Sequence, residues 1–182
     1  MVEGSWATDM MTLYDAFVPG CLQILGSVSN LIDKAEAHCT SMALPPETLI
    51  NARLTPDMAD FAYQVKSCAV HSIGAIDGAR KGVVAPDRTP PPDSFAGLRA
   101  LAKDAADRLG ALRAADVEAL SDKTVIFAIG DVMRWEFTGQ DLLMSLSQPN
   151  FYFHATTAYD ILRVAGLPLS KTDYLGAIRK TP

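Results

Sequence analysis

The sequence predicts an all-α protein: an up-and-down four-helix bundle with one short β-hairpin set before the last long helix. Three observations carry this. Apolar residues recur at spacings of three and four along four long segments. Short connections bearing proline or glycine separate them. Between the third and fourth lie two β-rich runs around Gly130-Asp131, with a different period.

The first helix is expected from about Thr8 to about His38, with Leu13, Phe17, Cys21, Leu25, Val28 and Ile32 as one apolar stripe. Thr8 or Asp9 is the expected cap. Pro19 lies inside the pattern and predicts a kink or a fresh start. A short helix is expected from Pro46 to Arg53 in the following connection. Thr55-Pro56-Asp57 reads as the start of the second helix: a capping hydroxyl, a proline in the first turn and an acid near the positive dipole end. Phe61, Val65, Ala69, Ile73 and Ile76 form its apolar face, and it should end near Gly78.

"VVAPDRTPPPD" reads as a loop, because three consecutive prolines cannot continue a helix. The third helix starts at Asp93 or Ser94 and keeps its spacing to about Arg113. The hairpin is expected from Thr124 to Ile129 and Val132 to Phe137, turning at Gly130-Asp131. A lone hairpin is marginal in water, so it must pack on the helices. Thr138 can cap the last long helix, which Pro149 interrupts without ending and Gly166 followed by Pro168 stops. The remaining tail should lie against the bundle.

The totals bound the possibilities. A chain of 182 residues with 49% hydrophobic content suits one domain, 1–182, with a sizeable core. A formal net charge of -5 with no basic cluster argues against nucleic acid as partner. No apolar run reaches the roughly 18 residues of a membrane span, so no membrane is expected. The start lacks the pattern of a secretory signal, so the expected location is cytoplasmic. Three widely spaced cysteines form neither a disulfide framework nor a zinc site.

Several stretches then resemble a known family. "NARLTPDM", "FTGQDLL", the early "LYDAFVP" and above all "PNFYFHATTAYDILRVAGLPLSKTDYLG" are similar to the DUF1993 family of unknown function, over nearly the whole chain. That family resembles the DinB/YfiT-like four-helix bundles, a group of metal-dependent enzymes and homodimers, some of them thiol-dependent transferases. The resemblance therefore implies the same bundle, a homodimer, and a divalent metal such as zinc or nickel between the helices. The wider group's three-histidine pattern falls on His71, Asn150 and His154, so one imidazole is replaced by an amide, a weak ligand. The chain also has Val70, Val164 and Ser170 where the nearer family often carries Asp, His and Gly.

His154 lies four residues after Asn150, on the same helix face, and His71 shares a stripe with Gln64, Cys68 and Ala75. Three functional expectations stay open. One is a small-molecule enzyme with a vestigial or unusual metal site at His71, Asn150 and His154. A second is a metal-free pocket, a ligand binder or an acid/base isomerase or cyclase. There His71 or His154 acts as general acid or base among Tyr152, Trp135, Phe151 and Phe153. Cys68, three residues before His71, is a candidate thiolate. The third is a non-enzymatic dimeric interaction protein. His38 is assigned to the negative end of the first helix dipole.

Overall fold

The computed structural model describes residues 11–180. The protein is mostly helical, with a small three-stranded sheet at one side. Helix α1 (Leu13–Ser41) runs through Pro19 without a break. The expected caps Thr8 and Asp9 lie outside the described residues. Thr12 caps the helix instead: its hydroxyl accepts from the Asp15 N–H, and the Asp15 carboxylate accepts from the Thr12 N–H. The Glu118 carboxylate, from far along the chain, accepts from the Leu13 and Tyr14 N–H groups at 3.2 and 2.8 Å. It thereby satisfies two orphan donors at the positive end of α1.

A short α2 (Glu47–Ile50) follows. The second long helix begins five residues later than Thr55 predicts. Thr55 and Asp57 hydrogen-bond each other in a turn, and Asp60 takes the cap, accepting from the Tyr63 N–H. Arg53 pins this cap through the Met58 carbonyl and the Asp60 carboxylate. Helix α3 covers 61–81 as three continuous pieces: α-helical Phe61–Ala69, a wider π turn Val70–Gly74, and α-helical Ala75–Lys81. It ends at Gly82, whose φ of 79° is the left-handed conformation that closes helices.

Helix α4 (Phe95–Gly110) is capped by Ser94, as expected. A short α5 (Ala114–Glu118), which carries the Glu118 cap, had no expectation in the sequence. The last long helix, α6, covers 139–164: Gly139–Asp141, a π turn Leu142–Ser147, and Gln148–Val164. Thr138 caps it by accepting from the Asp141 N–H. Pro149 has no N–H and its ring crowds the carbonyl four residues back, so the helix widens just before it rather than stopping. Helix α7 (Lys171–Leu175) closes the described chain. It lies on α1, tied by Lys34 to Asp173 and by Gln23 to the Leu175 carbonyl.

The expectation of an all-α chain is corrected here. Strands β2 (Thr124–Ile129) and β3 (Met133–Thr138) form the antiparallel hairpin, but β1 (Val83–Val84) joins β2 in parallel, giving a mixed sheet of order β1-β2-β3. Two residues are too few to announce a strand by periodicity. The turn is also one residue longer than predicted. Ile129 pairs with Met133, so Gly130, Asp131 and Val132 make the loop, and Gly130 has a φ of 50°.

Helix α1 packs on α4 and α6, and α3 packs on α6 and α4. The core between them is continuous, with Phe17, Phe61, Phe151, Leu25, Leu98 and Leu142 among its fully buried members. Among the described residues no helix is long and apolar enough to cross a membrane.

Candidate functional site

The face-to-face packing of α3 and α6 brings the two candidate histidines together. His71 sits inside the first π turn, and His154 lies on α6 one turn beyond Asn150. Their ring centroids are 5.5 Å apart and their planes differ by 13°, so the imidazoles stack. Tyr63 and Phe153 approach His154 edge-on, at 6.0 and 5.4 Å.

A buried glutamine sets the proton on His154. The Gln64 Nε2 donates to the Ala59 carbonyl at 3.0 Å. A flipped amide would set oxygen against oxygen there, so Oε1 must face the other way, where it lies 2.7 Å from His154 Nδ1. An amide oxygen only accepts. His154 therefore carries its proton on Nδ1, and Nε2 keeps a free lone pair. The glutamine thus fixes both the tautomer and the orientation of the ring.

Both rings are neutral near pH 7. Burial lowers the His71 pKa to about 4. Burial, then the neighbouring His71, lowers that of His154 to about 4. Removing an imidazolium from water costs more than removing an imidazole, and two such charges side by side would repel.

The pair lines a cavity of about 250 Å³. Helix α3 contributes Tyr63, Lys66, Ser67, Val70 and His71; α6 contributes Leu146, Asn150 and His154; Phe127 of β2 and the connection residues Pro86 and Asp87 complete the wall. That connection is strapped down by Lys66, whose side chain is 6% exposed. Its ammonium donates to the carbonyls of Asp87 (3.2 Å) and Thr89 and pairs with Asp87 Oδ1 at 3.1 Å. Burial would raise the Asp87 pKa, but hydrogen bonds from Thr89 and Lys66 outweigh it and hold the carboxyl below its usual range.

The other sequence candidates lie elsewhere. Cys68 is fully buried in the core, and burial first, then Cys21, pushes its thiol far up, which opposes a thiolate role. Tyr152 faces α1: its hydroxyl is 2.7 Å from where a Cβ on Gly20 would stand, and it lines a separate groove with Pro149 and Phe153. Trp135 stands behind the cavity, stacked on its cross-strand partner Phe127 at 5.8 Å, and is 47% exposed. Phe151 belongs to the core and Phe153 is exposed. Tyr159 packs edge-on against Tyr174 of α7. The sequence did not single out Lys66, Asp87 or Phe127, and Gln64 appeared only as a face-mate of His71.

The divalent metal implied by the resemblance does not suit these residues. Among the described residues no group of three or more His, Cys, Asp or Glu could hold an ion. Asn150, in the third position, donates its Nδ2 to the Leu146 carbonyl at 2.8 Å and offers only an amide oxygen, a weak ligand where the pattern has an imidazole.

A mostly helical fold with an imidazole pair between its second and last long helices is the class that these features define. The chain belongs to the DUF1993 family, a domain of unknown function whose model matches residues 13–175. It is also similar to the crystal structure of a DinB family member protein from Shewanella denitrificans, with 28% identity and a TM-score of 0.78, over 93% of this chain and 96% of that one. No curated protein matches the chain.

Proposed function

We propose that the chain is an up-and-down four-helix-bundle protein that holds a small molecule in the cavity between α3 and α6, without a resident metal. His71 and His154 are its polar contacts and its proton-exchanging groups. The observation that carries this is the Ala59–Gln64–His154 relay. A buried glutamine, itself anchored, fixes one tautomer and leaves Nε2 as a basic lone pair. A histidine with only a packing role has no need of a defined free nitrogen.

The stacked pair allows a proton to be taken from a ligand by His154 Nε2, with His71 receiving or returning one at its own ring. A pKa of about 4 makes His154 a weak base in the empty cavity, so any such step depends on the ligand stabilising the imidazolium that forms.

Elemental analysis tests the reading. Wild type and His154→Ala are purified without a tag and measured by mass spectrometry after exposure to zinc, nickel, manganese and iron. No stoichiometric metal is expected in either. Near one equivalent in the wild type, lost in the variant, overturns the metal-free reading.

A further inference from the structure

The cavity holds unequal numbers of free donors and acceptors, and the imbalance states what kind of ligand it takes. Most fixed donors are spent, and those that remain are matched. His71 keeps one N–H beside its lone pair, and Asn150 keeps one N–H beside its Oδ1. The Tyr63 and Ser67 hydroxyls donate as readily as they accept, so His154 Nε2 and the Asp87 carboxylate are the acceptors in excess. The three N–H bonds of Lys66 match three acceptors, the Asp87 and Thr89 carbonyls and the Asp87 carboxylate. His154 Nδ1–H goes to Gln64, and an Asn150 N–H goes to Leu146. The acceptors are open. Among the described residues, His154 Nε2, the unprotonated nitrogen of His71, Asn150 Oδ1 and Asp87 Oδ2 have no hydrogen-bond partner.

Charge points the same way. Among the described residues Lys66 is the cation in the wall; it and Asp87 neutralise each other through Oδ1 and leave Oδ2 unpaired, and the imidazoles carry no charge at neutral pH. A carboxylate or phosphate entering here meets lone pairs and a carboxylate oxygen, with no free cation to compensate it. An ammonium brings three N–H donors and no acceptor, the complement of this set. The remaining wall is apolar, from Val70, Pro86, Phe127 and Leu146.

We propose that the cavity takes a small primary amine with a compact apolar body. The ammonium sits against the two imidazoles and the Asp87 carboxylate, and the body lies against Phe127 and its apolar neighbours. This rests on the pocket reading above and adds the ligand's chemical class to it.

Three probes of one shape separate the cases: benzylamine, benzyl alcohol and benzoate, titrated into the full chain at pH 7.5. Binding is followed by nitrogen-15 NMR of the His71 and His154 side chains. Benzylamine should perturb both rings and bind at least tenfold more tightly than benzoate, and Asp87→Asn should weaken benzylamine at least fivefold while leaving benzyl alcohol unchanged. Benzoate or benzyl alcohol binding as tightly as benzylamine overturns the amine assignment and leaves the pocket standing. Three probes that all leave both rings unperturbed overturn the pocket reading as well. If Asp87→Asn releases the connection, the benzylamine-to-benzoate ratio on the unaltered chain still decides.

Discussion

Replacing Gln64 by leucine removes the group that assigns the His154 proton. Gln64 is 2% exposed, and its amide makes two hydrogen bonds, to the Ala59 carbonyl at 3.0 Å and to His154 Nδ1 at 2.7 Å. Each such bond contributes about 1 kcal/mol net, and a partner left buried without a bond costs about 1–3 kcal/mol. Leucine recovers part of this by burying apolar surface, so a net loss of about 1–3 kcal/mol is expected in urea unfolding. Nitrogen-15 NMR should show His154 as the Nδ1–H tautomer in the wild type and as a mixture in Gln64→Leu. Gln64→Glu places a carboxylate beside Nδ1–H and should raise the His154 pKa well above about 4. An Nε2–H tautomer in the wild type, or an unchanged tautomer and stability in Gln64→Leu, would refute the relay.

Stability should depend on pH between about 4 and 6.5. Both histidine pKa values are lowered in the folded state, from 6.5 to about 4, so the unfolded chain binds more protons in this window and stability falls as pH falls through it. A slope on the order of 1 kcal/mol per pH unit is expected from denaturation at graded pH, and a flat profile contradicts the burial assigned to the pair. Gly139→Ala should cost more than about 2 kcal/mol, because a Cβ there overlaps the Leu120 carbonyl oxygen and stands 2.9 Å from its carbon, both rigid backbone. An unchanged unfolding midpoint would show that this approach can relax. Cys21, Cys39 and Cys68 are all buried, so a thiol reagent should label the folded chain only at its opening rate and all three rapidly in denaturant. Immediate labelling of Cys68 would revive it as a reactive thiol.

Much of the helical frame was legible because it depends on local chemistry. Ser94 and Thr138 cap where a short hydroxyl precedes an apolar-periodic run, and Gly166 turns left-handed where the last such run ends. The start at Thr55 failed because Asp60, five residues on, offers an equally good cap that Arg53 reinforces from outside the helix. Strand β1 and the Lys66–Asp87 clip were not legible for the same reason: each is a pairing between segments distant in sequence, and neither Val83–Val84 nor the Asp87 connection has a pattern of its own. At the site, the shared face of Asn150 and His154 was visible by spacing. The anchored glutamine behind His154 was not, since Gln64 and His154 stand 90 residues apart.

The two π turns occur on the two helices that carry the imidazoles, one enclosing His71 and one preceding Asn150 and His154. Each behaves as a residue too many, carried as a bulge instead of being absorbed by the helix. Every α-helical residue advances the chain by about 100° around the axis. The bulge therefore keeps the pairing: were the extra residue of 142–147 absorbed into a regular helix, everything beyond it would turn by about 100° and carry His154 away from His71. The imidazoles face each other because the helix declines that regularity at one place. A one-residue insertion between the bulge and His154 would disengage them while both remain in the sequence.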